Sequence, residues 1–167
     1  NNETRKPSDM IFADLFAGTA VVSSFFKKYG YSIIANDIQF YSYVIIKHLL
    51  ENNGNLDETR CIRLIEELDN IKGTEGFIYK NYSYEGTCGQ EFRRMYFSEY
   101  NAKKCDAIRI AIEKKRLSNE ISENEYYFLL SSLINSIDKY ANTASVYGAY
   151  LKKLKTSALK QMALLPL

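Results

Sequence analysis

The sequence predicts an α/β chain in which a βαβ unit over about residues 9–55 is followed by a mainly helical region. Three observations carry this. Two short apolar runs, 10–16 and 31–35, flank an amphipathic segment that breaks at Gly30. An acid stands near the end of each run, Asp14 in the first and Asp37 just after the second. Beyond residue 97, apolar residues recur at helical spacing, and Ser122-Glu123-Asn124-Glu125 has the form of a capping box.

Taken in order, residues 1–9 are polar and without periodicity. Residues 10–16 read as a strand buried on both faces, because the run is nearly continuous. The small-residue turn Ala17-Gly18-Thr19 leads into a helix over about 19–29. Its stripe is Val21, Val22, Phe25 and Phe26, and Lys27-Lys28 suit its C-terminal end. Residues 31–35 form the second strand, and so short a return makes the pair parallel. A long helix over about 39–52 buries Tyr43, Ile46, Leu49 and Leu50. Another over about 57–71 runs through Ile62, Leu64, Ile65 and Leu68. Residues 77–97 are rich in Tyr, Gly and charge and lack helical period, so they read as a long functional loop. Helices follow over about 98–116, with Ala102, Ile108 and Ile112 inward, and over about 122–140. A shorter helical segment is expected over about 143–154, and the tail 156–167 is weakly patterned. The domain organisation expected is 1–75 and 76–155, then the tail.

Composition narrows the function classes. The 167 residues suffice for one ordinary core, and 46% hydrophobic with 25% charged residues is the globular range. A net charge of +2 gives no global pull toward nucleic acid, so any basic surface is local. Cys61, Cys88 and Cys105 have no CxxC spacing, and His48 is the one histidine, so no metal site is expected. The cysteine usage fits a reduced, cytoplasmic compartment. No apolar run approaches the roughly 20 residues that cross a bilayer. Proline occurs at Pro7 and Pro166 alone, so the chain contains no Pro-Pro pair.

The candidate site residues lie at the strand ends. Asp14 precedes a turn of small residues that opens a helix. Such a turn lets a ligand approach the backbone, and the helix start offers unpaired amides. Read otherwise, it is an ordinary tight turn with Thr19 as N-cap. Asp37 lies 23 positions beyond Asp14. In nucleotide-type sites an acid about 20 residues past the glycine turn accepts from the ribose diol. Read otherwise, Asp37 caps the next helix. Phe16 packs either on an adenine ring or in the core. His48, without partners for catalysis, reads as a helix-face histidine. Lys80, Arg93 and Arg94 are interleaved with Tyr79, Tyr82 and Tyr84, and Lys152, Lys153 and Lys155 stand beside Tyr147 and Tyr150. Both groupings suit phosphate contact and base stacking, and both also suit a solvated surface.

FADLFAGTA followed by SIIANDIQFYSYVI resembles the start of the Dam-like, alpha-class DNA adenine-N6 methyltransferases of restriction-modification systems. GFIYKNYS and NTASVYGAYLKK resemble segments of one bacterial branch of that family, so the resemblance covers about 10–160. The family's first strand ends Asp-x-Phe-x-Gly-x-Gly, met here by Asp14, Phe16 and Gly18, with Ala20 in place of the last glycine. The resemblance implies a partial Rossmann-like methyltransferase fold and S-adenosylmethionine as cofactor. Asp14, Phe16, Ala17, Gly18, Thr19, Asp37 and Ile38 would be at the cofactor, and Ala20 would crowd it slightly. It also implies double-stranded DNA as partner, met by Lys80, Tyr82, Arg93, Arg94, Tyr150, Lys152 and Lys153 in a recognition region over 76–155.

Two family features are missing. One is the Asp/Asn-Pro-Pro-Tyr/Phe tetrapeptide that holds the flipped adenine. The other is the short glycine- and lysine-containing motif before the first strand. The expectation is therefore a truncated enzyme, inactive alone, with no catalytic residue of its own. A second chain or a missing segment would carry the catalytic motif. Two other readings stay open: a non-catalytic nucleic-acid- or partner-binding subunit derived from that family, and an unrelated cofactor-binding α/β protein.

Overall fold

The structure, a computed structural model, describes residues 6–144 and 151–167. Among them, helix predominates around one two-stranded parallel sheet. After a 3-10 turn at Pro7–Asp9, β1 (Ile11–Asp14) leads through the small-residue turn into α1 (Val21–Lys28) and back into β2 (Ser32–Ala35). The register pairs Ile11 with Ser32 and Asp14 with Ala35, so both acids leave the same edge of the sheet. Phe26 fixes α1 on the strands. Its ring stacks on Phe12 at 3.9 Å and meets Tyr31 edge-on at 5.2 Å.

The strands are not buried on both faces as the apolar runs suggest. Ile11, Ala13, Ser32 and Ile34 are exposed, while their neighbours in sequence are half-buried. The stripe of α1 is open as well, since Val21, Val22 and Phe25 are exposed. The helix itself is shorter than expected. It begins at Val21 after Ala20 in left-handed conformation, with no side-chain cap, so Thr19 does not cap it.

The expected helix over 39–52 is two pieces. α2 (Phe40–Ile46) continues into a wide π turn at Lys47–Glu51. There the Lys27 ammonium donates to the carbonyls of Leu49 and Leu50, which the widened turn presents outward. Tyr43 remains exposed. α3 (Glu58–Asp69) starts on an Asp57 cap to Arg60 N and buries Leu64, Ile65 and Leu68, with Ile62 exposed.

Part of the expected 77–97 loop is helical. α4 (Phe77–Tyr82) begins at Gly76, and Asp106 accepts from the amides of Gly76, Ile78 and Tyr79. A Cβ on Gly76 would lie 2.6 Å from the Asp106 carboxyl carbon, so this close cap requires glycine. α5 (Glu99–Leu117) and α6 (Glu123–Tyr140) agree with the sequence reading. Ala102, Ile108 and Ile112 are fully buried, and both halves of the Ser122/Glu125 capping box form. α6 is the centre of the main core, with Tyr126, Leu129, Leu130 and Leu133 against α3 and α5 residues. Ser131 Oγ of α6 donates to Val44 O, which joins the βαβ unit to this core.

The expected helix over 143–154 is absent at its described ends, and residues 145–150 lie outside the described part. α7 (Thr156–Leu159) is a single turn. The tail beyond it is extended and held by side chains: Asn101 Oδ1 accepts from Met162 N, Asp69 from Leu164 N and Ser136 Oγ from Leu165 N. No helix among the described residues is long and apolar enough to cross a membrane.

Candidate functional site

Asp14, Phe16, Ala17, Gly18, Thr19, Asp37 and Ile38 all lie in the two loops at the carboxyl ends of β1 and β2. Backbone bonds splice these loops together: Asn36 N donates to Asp14 O at 2.8 Å, and Ala17 N donates to Asn36 O at 3.0 Å. Asn36 Nδ2 also reaches Leu15 O. Asp37 is the junction. Its Oδ2 accepts from Gly18 N and its Oδ1 from Gln39 N, each at 2.8 Å. The Gln39 and Gly18 amides hold the Asp37 carboxyl below the ordinary aspartate value of 3.8, so it is anionic at neutral pH. A carboxylate has about four lone-pair sites; the Ser42 hydroxyl and the Ile38 amide also act on this one, and the capacity they and the two amides leave is what a diol would use.

Asp37 therefore caps the following turn and bonds the preceding glycine turn at once. Asp14 has one strong internal bond, Ser23 Oγ donating to its Oδ2 at 2.6 Å, and Oδ1 remains for a ligand amine. Gly18 has φ +53°, and nothing lies within 4 Å of where its Cβ would be, so the turn is open above the glycine. Ala20 also has positive φ, at 59°, and is 0% exposed. Its methyl packs inward with Ala17, Ile45 and Ile46. The alanine thus costs backbone strain and does not crowd the open side of the turn, contrary to the expectation from sequence. Phe16 is 90% and Ile38 95% exposed. Phe16 is not a core residue, and the two apolar side chains flank the Gly18–Asp37 junction in sequence.

The basic and aromatic residues of 79–97 form a second group. Residues 83–97 fold back on α4, with the amides of Tyr96 and Phe97 both donating to Tyr82 O. Arg93 lies over the Tyr84 ring, its carbon Cζ 3.2 Å from the centroid, and donates twice to Tyr84 O. Arg94 faces the Tyr82 ring at 5.7 Å and donates to Asn81 O. Lys80 is exposed on α4. Arg93, Arg94 and Lys152 line one cleft of about 340 Å³, although Lys152 is more than 55 residues away in sequence. Lys153 is exposed beside it, and Tyr150 lies outside the described residues.

Four residues that matter to these groups carried no singled-out signal in the sequence. Ser23, Asn36, Asp106 and Asn142 act through long-range bonds to backbone or carboxylate. The one available hint was that Asn142 opens the NTASVYGAYLKK segment. His48 is buried. Its Nδ1 faces the Asn52 amide at 3.1 Å, its ring meets Phe128 edge-on, and burial pushes its pKa down. That is a neutral histidine packed from its own helix against α6. Among the described residues no cluster of three or more His, Cys, Asp or Glu is placed to hold a metal ion.

Comparison with known proteins bears on the chain as a whole. The chain is 45% identical over 159 residues to the type II methyltransferase M.NlaIII of Neisseria lactamica, covering 95% of this chain and 46% of that protein. It is 41% identical over 160 residues to M.CviAII of Paramecium bursaria Chlorella virus 1, covering 93% and 45%. The modification methylase StsI of Streptococcus sanguinis is 37% identical over 165 residues, covering 94% and 24%. The chain thus spans less than half the length of each of these relatives. No solved structure matches it. The profile of the D12 class N6 adenine-specific DNA methyltransferases matches residues 3–167, and with it and these relatives the chain belongs to that family.

Proposed function

We propose that this chain is the S-adenosylmethionine-binding and target-recognition part of a DNA adenine-N6 methyltransferase, built on a partial Rossmann-like fold. Residues 1–75 take the cofactor, 76–155 the DNA, and the catalytic tetrapeptide comes from outside these 167 residues, which contain no Pro-Pro pair. The observation that carries the reading is the Asp37 junction. One ionised carboxylate ties the glycine turn to the end of the second parallel strand and keeps acceptor capacity for a ribose diol.

The remaining residues fit the same ligand. Asp14 Oδ1 accepts from the amino group of the methionine moiety. The opening above Gly18 admits the ligand against backbone, and Phe16 and Ile38 offer apolar surface to a purine. When bound, S-adenosylmethionine supplies an electrophilic methyl on sulfur, and the adenine N6 is its acceptor. The work of this chain is to bind and orient, so that two reactants meet in line. Lys80, Arg93, Arg94, Lys152 and Lys153 neutralise DNA phosphates, and Tyr82, with Tyr150, offers faces for stacking. The chain alone binds without turnover.

Calorimetric titration with S-adenosylmethionine, then with duplex DNA, tests this. Cofactor binding without methyl transfer supports the reading. DNA binding with no cofactor binding replaces it with a non-catalytic nucleic-acid-binding relative. Methyl transfer by the isolated chain contradicts the assignment of the catalytic groups to another segment.

A further inference from the structure

We propose that Asn142 is a positioning residue that assembles two separate basic segments, around 93–96 and 151–155, into one seat for a single phosphate of the DNA backbone. The proposal rests on the DNA reading above. Asn142 is 4% exposed, and its hydrogen-bonding groups all go to backbone. Its Nδ2 donates to Met95 O at 2.9 Å and to Lys153 O at 3.2 Å. Its Oδ1 accepts from Lys155 N at 2.9 Å, and its own amide donates to Tyr96 O at 2.7 Å. One side chain thus joins the segment that carries Arg93 and Arg94 to the one that carries Lys152. Among the described residues no other hydrogen bond links the two segments. An asparagine suits this task, because it donates twice and accepts while adding no charge between cations.

The cleft so formed holds Arg93, Arg94 and Lys152 with no acidic residue in its described lining. Among the described residues none of these three cations has a carboxylate partner, whereas Lys103, Arg109 and the buried Lys115 elsewhere in the chain are paired. Arg93 is committed to Tyr84 through Nε and Nη2, and Arg94 spends only Nη1, on Asn81 O. Arg94 and Lys152 therefore keep donors for an anion in this cleft, and Arg93 adds fixed positive charge. Cations with no anion nearby disfavour their own packing and favour a bound anion. The phosphodiester is the anion that the family's substrate provides in register.

The experiment is a titration of duplex DNA with the 167-residue chain at a series of salt concentrations, with thermal melting of every variant. The slope of log affinity against log salt reports phosphates contacted, at about 0.9 per phosphate. Arg94→Ala and Lys152→Ala are each expected to lower the slope by about one, and the double variant by no more, because they share one phosphate. Asn142→Ala is expected to lower it by the same amount with both cations intact. Adding Asn142→Ala to the double variant is expected to change nothing further. Additive losses from Arg94→Ala and Lys152→Ala would overturn the shared seat, and this comparison does not depend on Asn142→Ala folding. An unchanged slope in a folded Asn142→Ala or Asn142→Ser variant would overturn the positioning role. A wild-type chain that binds S-adenosylmethionine and no duplex would overturn the DNA reading and this proposal together. A slope that responds to Lys80→Ala alone would overturn this proposal and spare the DNA reading.

Discussion

The helical body and the βαβ unit contain side chains of similar size and treat them oppositely. Leu68, Ile108, Ile112 and Leu129 are fully buried among α3, α5 and α6, whereas Ile11, Phe16, Val21 and Ile38 lie mostly in solvent. Burying such a side chain contributes about 1.5–3 kcal/mol, so the body is stabilised by apolar burial far more than the unit, whose own buried cluster is the small one of Ala17, Ala20, Ile45 and Ile46. Hydrogen bonds at its loop ends add to that small cluster. The Asn36, Asp37 and Ser23 bonds fix the turn geometry while the apolar surfaces stay open. The body thus serves as foundation, and the unit leaves its apolar surfaces open.

Truncation in the two regions breaks this comparison most directly. Leu129→Ala or Ile108→Ala is expected to cost about 2–5 kcal/mol in denaturant unfolding. Phe16→Ser or Ile38→Ser is expected to stay within about 0.5 kcal/mol. Equal costs would mean that the unit is buried in a way the structure does not show. Next in size is Asp106→Ala, which strips three amides of a charged partner at the start of α4. A loss of about 3 kcal/mol is expected, with faster hydrogen exchange at Ile78 and Tyr79 than at Leu129. Uniform exchange across both helices would show that α4 does not depend on this cap.

The third prediction concerns acid. The Asp37 pKa is lowered in the folded chain by the Gln39 and Gly18 amides, so its contribution to stability is present above the ordinary value of 3.8 and is lost as pH falls through the lower folded value. The stability difference between the wild type and Asp37→Asn is therefore expected to shrink as the pH drops below about 4, and to be flat from about 5 to 7. A difference that grows in acid would reverse the assigned sign. The smallest effect is expected at Ala20. Ala20→Gly relieves a left-handed alanine and removes a buried methyl, two opposing contributions of about 1 kcal/mol each. Net stability is expected to stay within about 1 kcal/mol, with unchanged affinity for S-adenosylmethionine. A gain in affinity would place the methyl at the ligand after all.

Local chemistry made much of this legible. The parallel strands, α5, α6 and the Ser122 capping box were readable because spacing and cap residues are short-range signals. The strand-end acids were readable for the same reason, since turn length and strand length fix where Asp14 and Asp37 emerge. Burial was not readable at Val21, Val22 and Phe25, because periodicity says which face is apolar and not whether anything covers it. α4 was hidden because its cap comes from Asp106, about thirty residues on, rather than from a local Ser or Asp. The meeting of Arg94 with Lys152 was hidden likewise, since Asn142 makes it through backbone carbonyls that have no sequence signature.

On the function proposed above, the cofactor sits at the Gly18–Asp37 junction. Backbone amide NMR of the chain, titrated with S-adenosylmethionine, tests it residue by residue. The account predicts saturable shifts concentrated at Phe16, Gly18, Asp37 and Ile38, with α5 and α6 unmoved and the response lost in Asp37→Ala. Saturable shifts centred elsewhere, or an Asp37→Ala variant that responds like the wild type, would contradict it.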